Sequence, residues 1–437
     1  MKKNFKDIII IGFALFAMFF GAGNLIFPPY LGKMVGKSFF VAIIGFLITG
    51  VGLPLMGIIA SAKINGSFED MANRVGRIFS LISGTAMILA IGPLLAIPRT
   101  AATTYELGVK PFFTGINPLV AIIVYFLINS AFVLKPSSII DNIGKILTPL
   151  LLLMLSIIII KGIINPIGNI ENTPITNVFP MSLLQGYQTM DAMASVIFSS
   201  IIIASVVSKG YNTKAKIIST TMSSGIVAVV GLAFVYGGLL YLGAQTVKTL
   251  PGNIMKTELV IEIARRTLGA FGSIALGLSV ALACLTTSIG LTATAAEYFS
   301  KTVTKGKVSY QTNVLLITII SIIIANMGVD RIIKFASPIL SILYPVVIVL
   351  ISITLMGKLI KNNKVVKFTV YTTLTFSLID TIINNMYISS SLKDVFYLIP
   401  LSKQGFAWLI PSLLVLFLTS LFTRVQHIDD EEQQSAA

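Results

Sequence analysis

The sequence predicts an all-α polytopic membrane protein with twelve transmembrane helices. Of its 437 residues, 55% are hydrophobic and only 11% are charged, and the mean hydropathy is +0.92. Soluble domains carry about 25% charged residues, so this chain has too few to cover a water-exposed surface. The apolar residues form continuous runs and do not alternate with polar ones, which indicates helices and not the strands of a membrane barrel.

Charged residues divide the chain into twelve apolar runs, and a helix of about 20 residues crosses a bilayer. Two of the runs are interrupted, each by a single acidic residue, Asp191 or Asp380. The runs are 8–32, 38–62, 78–98, 111–134, 146–160, 172–208, 217–247, 267–296, 308–329, 335–357, 368–392 and 404–423.

The basic residues predict the orientation of the chain. With twelve crossings both termini lie on one side, and the loops of that side carry 19 of the 32 Lys and Arg residues. Positive residues favour the cytoplasmic side, so we expect both termini in the cytoplasm. We assign the net charge of +15 to this topology and to lipid headgroups, and expect no nucleic-acid partner.

The first run is interrupted near its middle by Gly21, Ala22, Gly23 and Asn24. Glycine weakens a helix interior and asparagine competes for backbone hydrogen bonds, so we expect the helix to unwind here. Backbone freed at this depth must be buried in protein or line a polar cavity. The functional interpretation is a broken helix that binds a small solute, and the alternative is a glycine face for close helix packing.

The sixth run contains the second interruption of the chain, which ends at an acidic residue, Asp191. We predict an unwound stretch over 185–189, with Thr189 or Asp191 starting a new half-helix. Asp191 then binds an ammonium group or a coupling cation, or else it serves as a structural cap. The candidate binding residues of this stretch are Gln185, Gly186, Tyr187, Thr189, Met190 and Asp191.

The positions of the two interruptions predict an inverted repeat. The first and sixth runs open successive sets of five, and because five is odd the second set enters the membrane from the opposite side. We therefore divide the chain into a first repeat at 5–165, a second at 176–357, two further helices at 365–424 and a cytoplasmic tail at 427–437.

Three consecutive hydroxyl side chains, Thr286, Thr287 and Ser288, lie in the eighth run. Such hydroxyls can bond to carbonyls of their own helix and have no further role. Alternatively, neighbouring hydroxyls together with carbonyls from an unwound helix can supply a cage of neutral oxygens for Na⁺.

Three stretches, 19–29, 91–100 and 185–192, resemble the branched-chain amino acid carrier family of bacteria, the BrnQ type. The resemblance extends over nearly the whole chain. It implies a protein of the bacterial cytoplasmic membrane that imports leucine, isoleucine and valine with Na⁺ or H⁺. It also implies the LeuT-type fold, with five-plus-five inverted repeats.

Two stretches, 23–30 and 283–289, are similar to motifs of LeuT-like sodium symporters. This similarity implies a Na⁺ site built from the Thr286 and Thr287 side chains. The carbonyl groups that it implies for the same site are those of Ala17, Phe20 and Ala283.

The substrate carboxylate is expected to meet the N–H groups of Ala22 and Gly23 at the start of a half-helix. Its ammonium would meet carbonyls near Ala17 and at 185–187. Its side chain would enter an apolar pocket with candidates Met190, Met193 and Ile289.

Other functions are less well supported by the sequence. A proton-coupled carrier would use Asp191 as the titrating group. An intramembrane enzyme has little support, because this chain has no histidine at membrane depth and only one cysteine, Cys284. Arg99, at the end of the third run, is interpreted as an outer gate or an interfacial anchor.

Overall fold

A computed structural model describes residues 4–134, 138–386 and 389–435, and these residues form helices and no strands. In chain order the α-helices are α1 (Phe5–Phe19), α2 (Ala22–Val35), α3 (Phe39–Leu47), α4 (Leu53–Ile64), α5 (Phe68–Asn73), α6 (Arg77–Leu89), α7 (Ala96–Thr103), α8 (Pro118–Leu134), α9 (Ser138–Ile164), α10 (Val178–Tyr187), α11 (Asp191–Ser208), α12 (Lys214–Ala244), α13 (Lys256–Tyr298), α14 (Tyr310–Ala325), α15 (Val329–Met356), α16 (Asn363–Asn385), α17 (Ser390–Phe396) and α18 (Leu409–Ser435).

The helices are of the membrane-spanning type. Within the described residues, seven helical stretches are long and apolar enough to cross a bilayer, and four shorter apolar helices accompany them. The prediction of an all-α membrane protein is confirmed. The count of twelve crossings and the five-plus-five repeat remain predictions.

The buried hydrophobic residues form two large clusters. One cluster draws mainly on α1, α2, α9, α12 and α13. The other includes residues of α6, α7, α11, α14 and α15, together with the buried valines of α16. Both interrupted helices therefore lie inside the protein, where freed backbone groups are shielded from lipid.

The α2 helix and the α12 helix pack with their backbones almost in contact. A Cβ atom added at Gly32 would overlap the carbonyl oxygen of Leu240, and one added at Gly243 would overlap that of Pro29. Small residues permit such close approach between membrane helices. This packing fixes the position of α2 and therefore of the interruption that precedes it.

We predict that Gly32→Ala lowers the free energy of unfolding by at least about 2 kcal/mol, because overpacking a tight contact typically costs about 1–3 kcal/mol. The measurement is the midpoint of thermal unfolding of the purified protein. Gly252→Ala is the matched control, since a Cβ atom there meets nothing within 4 Å. Equal midpoints for the two variants would contradict the close packing of α2 and α12.

Candidate functional site

The interruption of the first helix is short. The α1 helix ends at Phe19 and α2 begins at Ala22, with Phe20 (φ −83°, ψ 93°) and Gly21 (φ −115°, ψ −170°) extended between them. The break was predicted over Gly21 to Asn24, and the structure places it at Phe20 and Gly21, so it begins one residue earlier than predicted. Gly23 and Asn24 lie inside α2, because the chain resumes helical geometry directly after Gly21.

The second interruption is also narrower than predicted. The α10 helix continues through Gln185 and Gly186 to Tyr187, and α11 begins at Asp191. The reversal is concentrated at Met190, whose φ of 65° is in the left-handed region. That backbone conformation is uncommon for residues other than glycine, asparagine and aspartate. Such local strain is frequent at functional sites.

The side chain of Asn24 joins the two interruptions. Its Oδ1 accepts a hydrogen bond from the Gly21 N–H group at 3.3 Å, and its Nδ2 donates to Oδ2 of Asp191 at 2.5 Å. The Tyr236 hydroxyl of α12 contacts Nδ2 of Asn24 and donates to the same Asp191 oxygen at 3.4 Å. Asn24 and Asp191 are 0% and 4% exposed, so the network is buried.

The Asn24 side chain also explains why α1 ends. In a continuous helix the Gly21 N–H group would bond to the carbonyl of Ala17, four residues earlier. Here that N–H group bonds to Asn24 instead. The Ala17 carbonyl at the end of α1 thereby loses its helical donor and becomes free to bind another group.

Arg99 lies between the two interruptions and is 3% exposed. Its Nη1 donates to the carbonyl of Gln188 at 2.7 Å, and its guanidinium lies 5.5 Å from the centre of the Phe27 ring. The helical stretch that contains the third run does not end at Arg99, because α7 continues to Thr103 and a π-helical turn follows to Val109. The sequence-based placement of Arg99 near the outer end of a span is therefore wrong.

A small cavity of about 40 Å³ lies between the interruptions. In this conformation it is narrow, with room for only a few water molecules, so its walls must move apart to admit a larger solute. Its lining consists of Met18, Phe19, Gly21, Ala22, Asn24, Ile91, Ala96, Arg99, Thr100, Thr189, Met190, Asp191, Ala194, Phe198, Thr287 and Leu291.

The structure brings together part of the predicted substrate-binding set. The lining includes the predicted residues Gly21, Ala22, Asn24, Thr189, Met190 and Asp191. Gly23 lies beside the Arg99 guanidinium.

Three predicted residues, Gln185, Gly186 and Tyr187, lie in α10 outside the lining. Gly186 packs against Thr49, and the Tyr187 ring stacks on Tyr344 with centroids 4.5 Å apart.

The predicted apolar pocket is formed by other residues than expected. Of its three candidates only Met190 lines the cavity, while Met193 and Ile289 are packed in a hydrophobic cluster. Phe198 and Leu291 take their places. The sequence indicated the correct helices but not which face of each helix is turned toward the cavity.

The predicted Na⁺ ligands lie on the expected helices. Thr287 lines the cavity, and its methyl group lies 3.9 Å from where a Cβ atom on Gly21 would be. Thr286 donates to the carbonyl of Ala283 in its own helix at 2.9 Å, which is the bond expected of a hydroxyl with no further role. Phe20 caps α1 and its own N–H group bonds to Phe16. The donor set consists of neutral oxygens, which suits a hard cation such as Na⁺.

Sequence analysis did not identify Tyr236. The residue lies in the uncharged run of α12, directly before Gly237 and Gly238. The available signals were this pair of glycines and a phenol hydroxyl within a transmembrane helix, where a buried hydroxyl needs a partner.

The profile of the family described as "Branched-chain amino acid transport protein" matches residues 4–426. The chain belongs to this family. It is similar to the branched-chain amino acid permease BraB of Bacillus subtilis (strain 168), with 39% identity over 423 residues and 93% of each chain covered. It is also similar to the permease BrnQ of that organism, with 36% identity over 428 residues, 94% of this chain and 96% of the relative. This family member is a transport protein and not an enzyme.

Solved structures show the fold of this family member. The inward-facing conformation of Mhp1 matches with a TM-score of 0.62 and 13% identity, over 96% of this chain and 91% of that one. A Na⁺-coupled sialic acid symporter matches with a TM-score of 0.57 and 15% identity, over 95% and 90% of the two chains. The transporter therefore has the LeuT-type fold that the sequence resemblance implied.

We predict that Asn24→Ala lowers the free energy of unfolding by at least about 2 kcal/mol. The change removes the acceptor of the Gly21 N–H group and a donor to Asp191, and a hydrogen bond to a charged group contributes about 1.5–3 kcal/mol. Thermal unfolding of the purified transporter measures the effect. Asn326→Ala, at an exposed position, is the control, and equal destabilisation by the two changes would contradict the network.

Proposed function

We propose that the protein is a secondary active symporter that imports leucine, isoleucine and valine across a bacterial cytoplasmic membrane. The family membership and the permease names of the relatives support this substrate class. The observation that carries the proposal is the cavity between two interrupted helices, whose free backbone groups can bind both charged ends of an amino acid. Twelve crossings, paired inverted repeats and cytoplasmic termini belong to the same proposal.

The first turn of α2 is the proposed site of the substrate carboxylate. The N–H groups of Ala22 and Gly23 have no acceptor inside their own helix, and the positive end of the helix dipole favours an anion. The ammonium group would face the free carbonyl of Ala17, the end of α10 and the carboxylate of Asp191. Both charges of the amino acid are then compensated within one buried cavity.

The aliphatic side chain would contact Ile91, Phe198 and Leu291, which line the apolar part of the cavity. One methylene group changes binding by only about 1–3 kcal/mol. We therefore expect leucine, isoleucine and valine to compete with one another, and acidic or basic amino acids to be excluded because their second charge finds no partner there.

Sodium is the proposed coupling ion. Its ligands would be the carbonyls of Ala17, Phe20 and Ala283 and the hydroxyls of Thr286 and Thr287. The loss of the helical donor to Ala17 and the position of Thr287 in the cavity lining beside Gly21 support this set. An ion between α1 and α13 would favour one orientation of these helices, so that the Na⁺ gradient drives uptake.

A proton-coupled carrier on the same fold is the second candidate. The observation that favours it is the burial of Asp191 among the neutral donors Asn24 and Tyr236. Acidic side chains inside the membrane form the proton relays of many pumps and transporters. In this version Asp191 carries the coupled charge and the five oxygen ligands are structural.

We predict that Thr287→Ala raises the Na⁺ concentration for half-maximal leucine uptake by at least about fivefold, because one of five ligands is lost. Uptake into proteoliposomes at varied Na⁺ measures the effect. Thr294→Ala is the matched control on the same helix, since Thr294 is half-buried, lies outside the cavity lining and bonds to the carbonyl of Gly290. An unchanged sodium dependence in Thr287→Ala would refute the ion site.

We predict that Asp191→Asn retains sodium dependence and raises the leucine concentration for half-maximal uptake by about tenfold, because the ammonium loses its anionic partner. The proton-coupled alternative predicts a different result. It requires that a pH gradient alone drives uptake by the wild type in Na⁺-free vesicles, and that Asp191→Asn abolishes this uptake.

Counterflow in proteoliposomes tests the function itself. Vesicles loaded with unlabelled leucine should accumulate labelled leucine, isoleucine and valine, with faster exchange in the presence of Na⁺. Vesicles loaded with glutamate or lysine provide the comparison. Equal exchange with every internal amino acid, or none with leucine, would refute the proposed substrate class.

A further inference from the structure

The Arg99 guanidinium is a buried cation in the wall of the central cavity. Its side chain reaches from α7 to the interruption between α10 and α11, where Nη1 donates to the carbonyl of Gln188 at 2.7 Å. Nη2 lies 3.5 Å from the carbonyl of Thr189. These carbonyls close the end of α10, where the helix dipole favours a cation. The carbonyls of Gln188 and Thr189 thus occupy one side of the guanidinium.

The charge of Arg99 is not neutralised by an ion pair. Among the residues that the structure describes, no carboxylate forms a salt bridge with it. Its Nε atom is buried and has no hydrogen-bond partner. Asp191 lines the same cavity, but both hydrogen bonds to its Oδ2 come from Asn24 and Tyr236. A buried charge left without a partner is costly.

The other side of the guanidinium faces the start of α2. A Cβ atom on Gly23 would lie 2.7 Å from Nη2 of Arg99, so a larger residue at position 23 would force the guanidinium to shift. The start of a helix carries a partial positive charge and free N–H donors. A cation placed there opposes the helix dipole, and an anion between the two would compensate both.

We propose that Arg99 binds the carboxylate of the transported amino acid, together with the N–H groups of Ala22 and Gly23. This inference rests on the proposed function and assigns one further residue to the same site. The planar guanidinium matches the two oxygens of a carboxylate, and the Phe27 ring beneath it holds it in place. Arg99 is thus a substrate-binding residue and not an outer gate.

The assignment gives the cavity one cationic and one anionic side. Arg99 and the start of α2 form the first, and Asp191 forms the second, both within the lining of one cavity. A zwitterion satisfies both sides at once, whereas an amine or a carboxylic acid alone leaves one buried charge unpaired. This arrangement selects α-amino acids over compounds that share only their aliphatic side chain.

The test compares leucine with leucinamide, which retains the ammonium and the side chain but has a neutral carboxamide. Ligand-dependent thermal stabilisation of the purified full-length protein gives a dissociation constant for each compound. We expect the wild type to prefer leucine strongly, and Arg99→Gln to reduce this preference at least about tenfold by weakening leucine binding while leucinamide binding changes little. Arg265→Gln, on an exposed arginine paired with Glu262, should retain the wild-type preference.

Arg99→Lys keeps the charge but not the two-pronged geometry, and we expect an intermediate preference. It also replaces Arg99→Gln as the deciding variant if the latter does not fold. An unchanged ratio of the two dissociation constants in the deciding variant would overturn the assignment of Arg99 while leaving the proposed function intact. If leucine, isoleucine and valine all fail to stabilise the wild type, the proposed function fails, and the inference with it.

Discussion

The buried contact between Asn24 and Asp191 is the interaction on which the rest of the site depends. One amide side chain diverts the Gly21 N–H group from α1 and holds the carboxylate at the start of α11. The first and the second interruption are consequently held by the same residue. Tyr236 joins this contact from α12, and the close packing of α12 against α2 keeps all three groups in register.

The arrangement combines strong polarity with few formal charges. Arg99 and Asp191 are the charged side chains that line the cavity, and the other polar contributions come from backbone ends, amides and hydroxyls. Helix ends act as fixed partial charges whose placement is determined by packing. Such groups can compensate the two charges of an amino acid without the cost of burying several ionised side chains.

Much of the architecture could be predicted from the sequence, because continuous apolar runs and glycine-rich interruptions are local signals. Both interruptions were located to within a few residues, but their lengths were overestimated. Composition indicates where a helix is weak, whereas its actual end depends on a distant partner such as Asp191 for Asn24. The same limitation explains why Gly186 and Tyr187 were assigned to the cavity although they pack against Thr49 and Tyr344.

Two errors have a common physical origin. Arg99 was placed at the end of a span because charges were used to mark the ends of helices, and a buried cation gives the same signal as a loop residue. Tyr236 was missed because its partners, Asn24 and Asp191, lie on two other helices, and no local pattern encodes such contacts. In both cases the three-dimensional neighbours, and not the sequence neighbours, determine the function of the side chain.

An experimental structure of the protein with leucine bound tests the central claim most directly. The account predicts leucine between the two interruptions, with its carboxylate within hydrogen-bonding distance of the Ala22 and Gly23 N–H groups. It also predicts that α1 and α2, and α10 and α11, remain separate helices in that complex. Leucine bound elsewhere, or a continuous helix through Phe20 and Gly21, would contradict it.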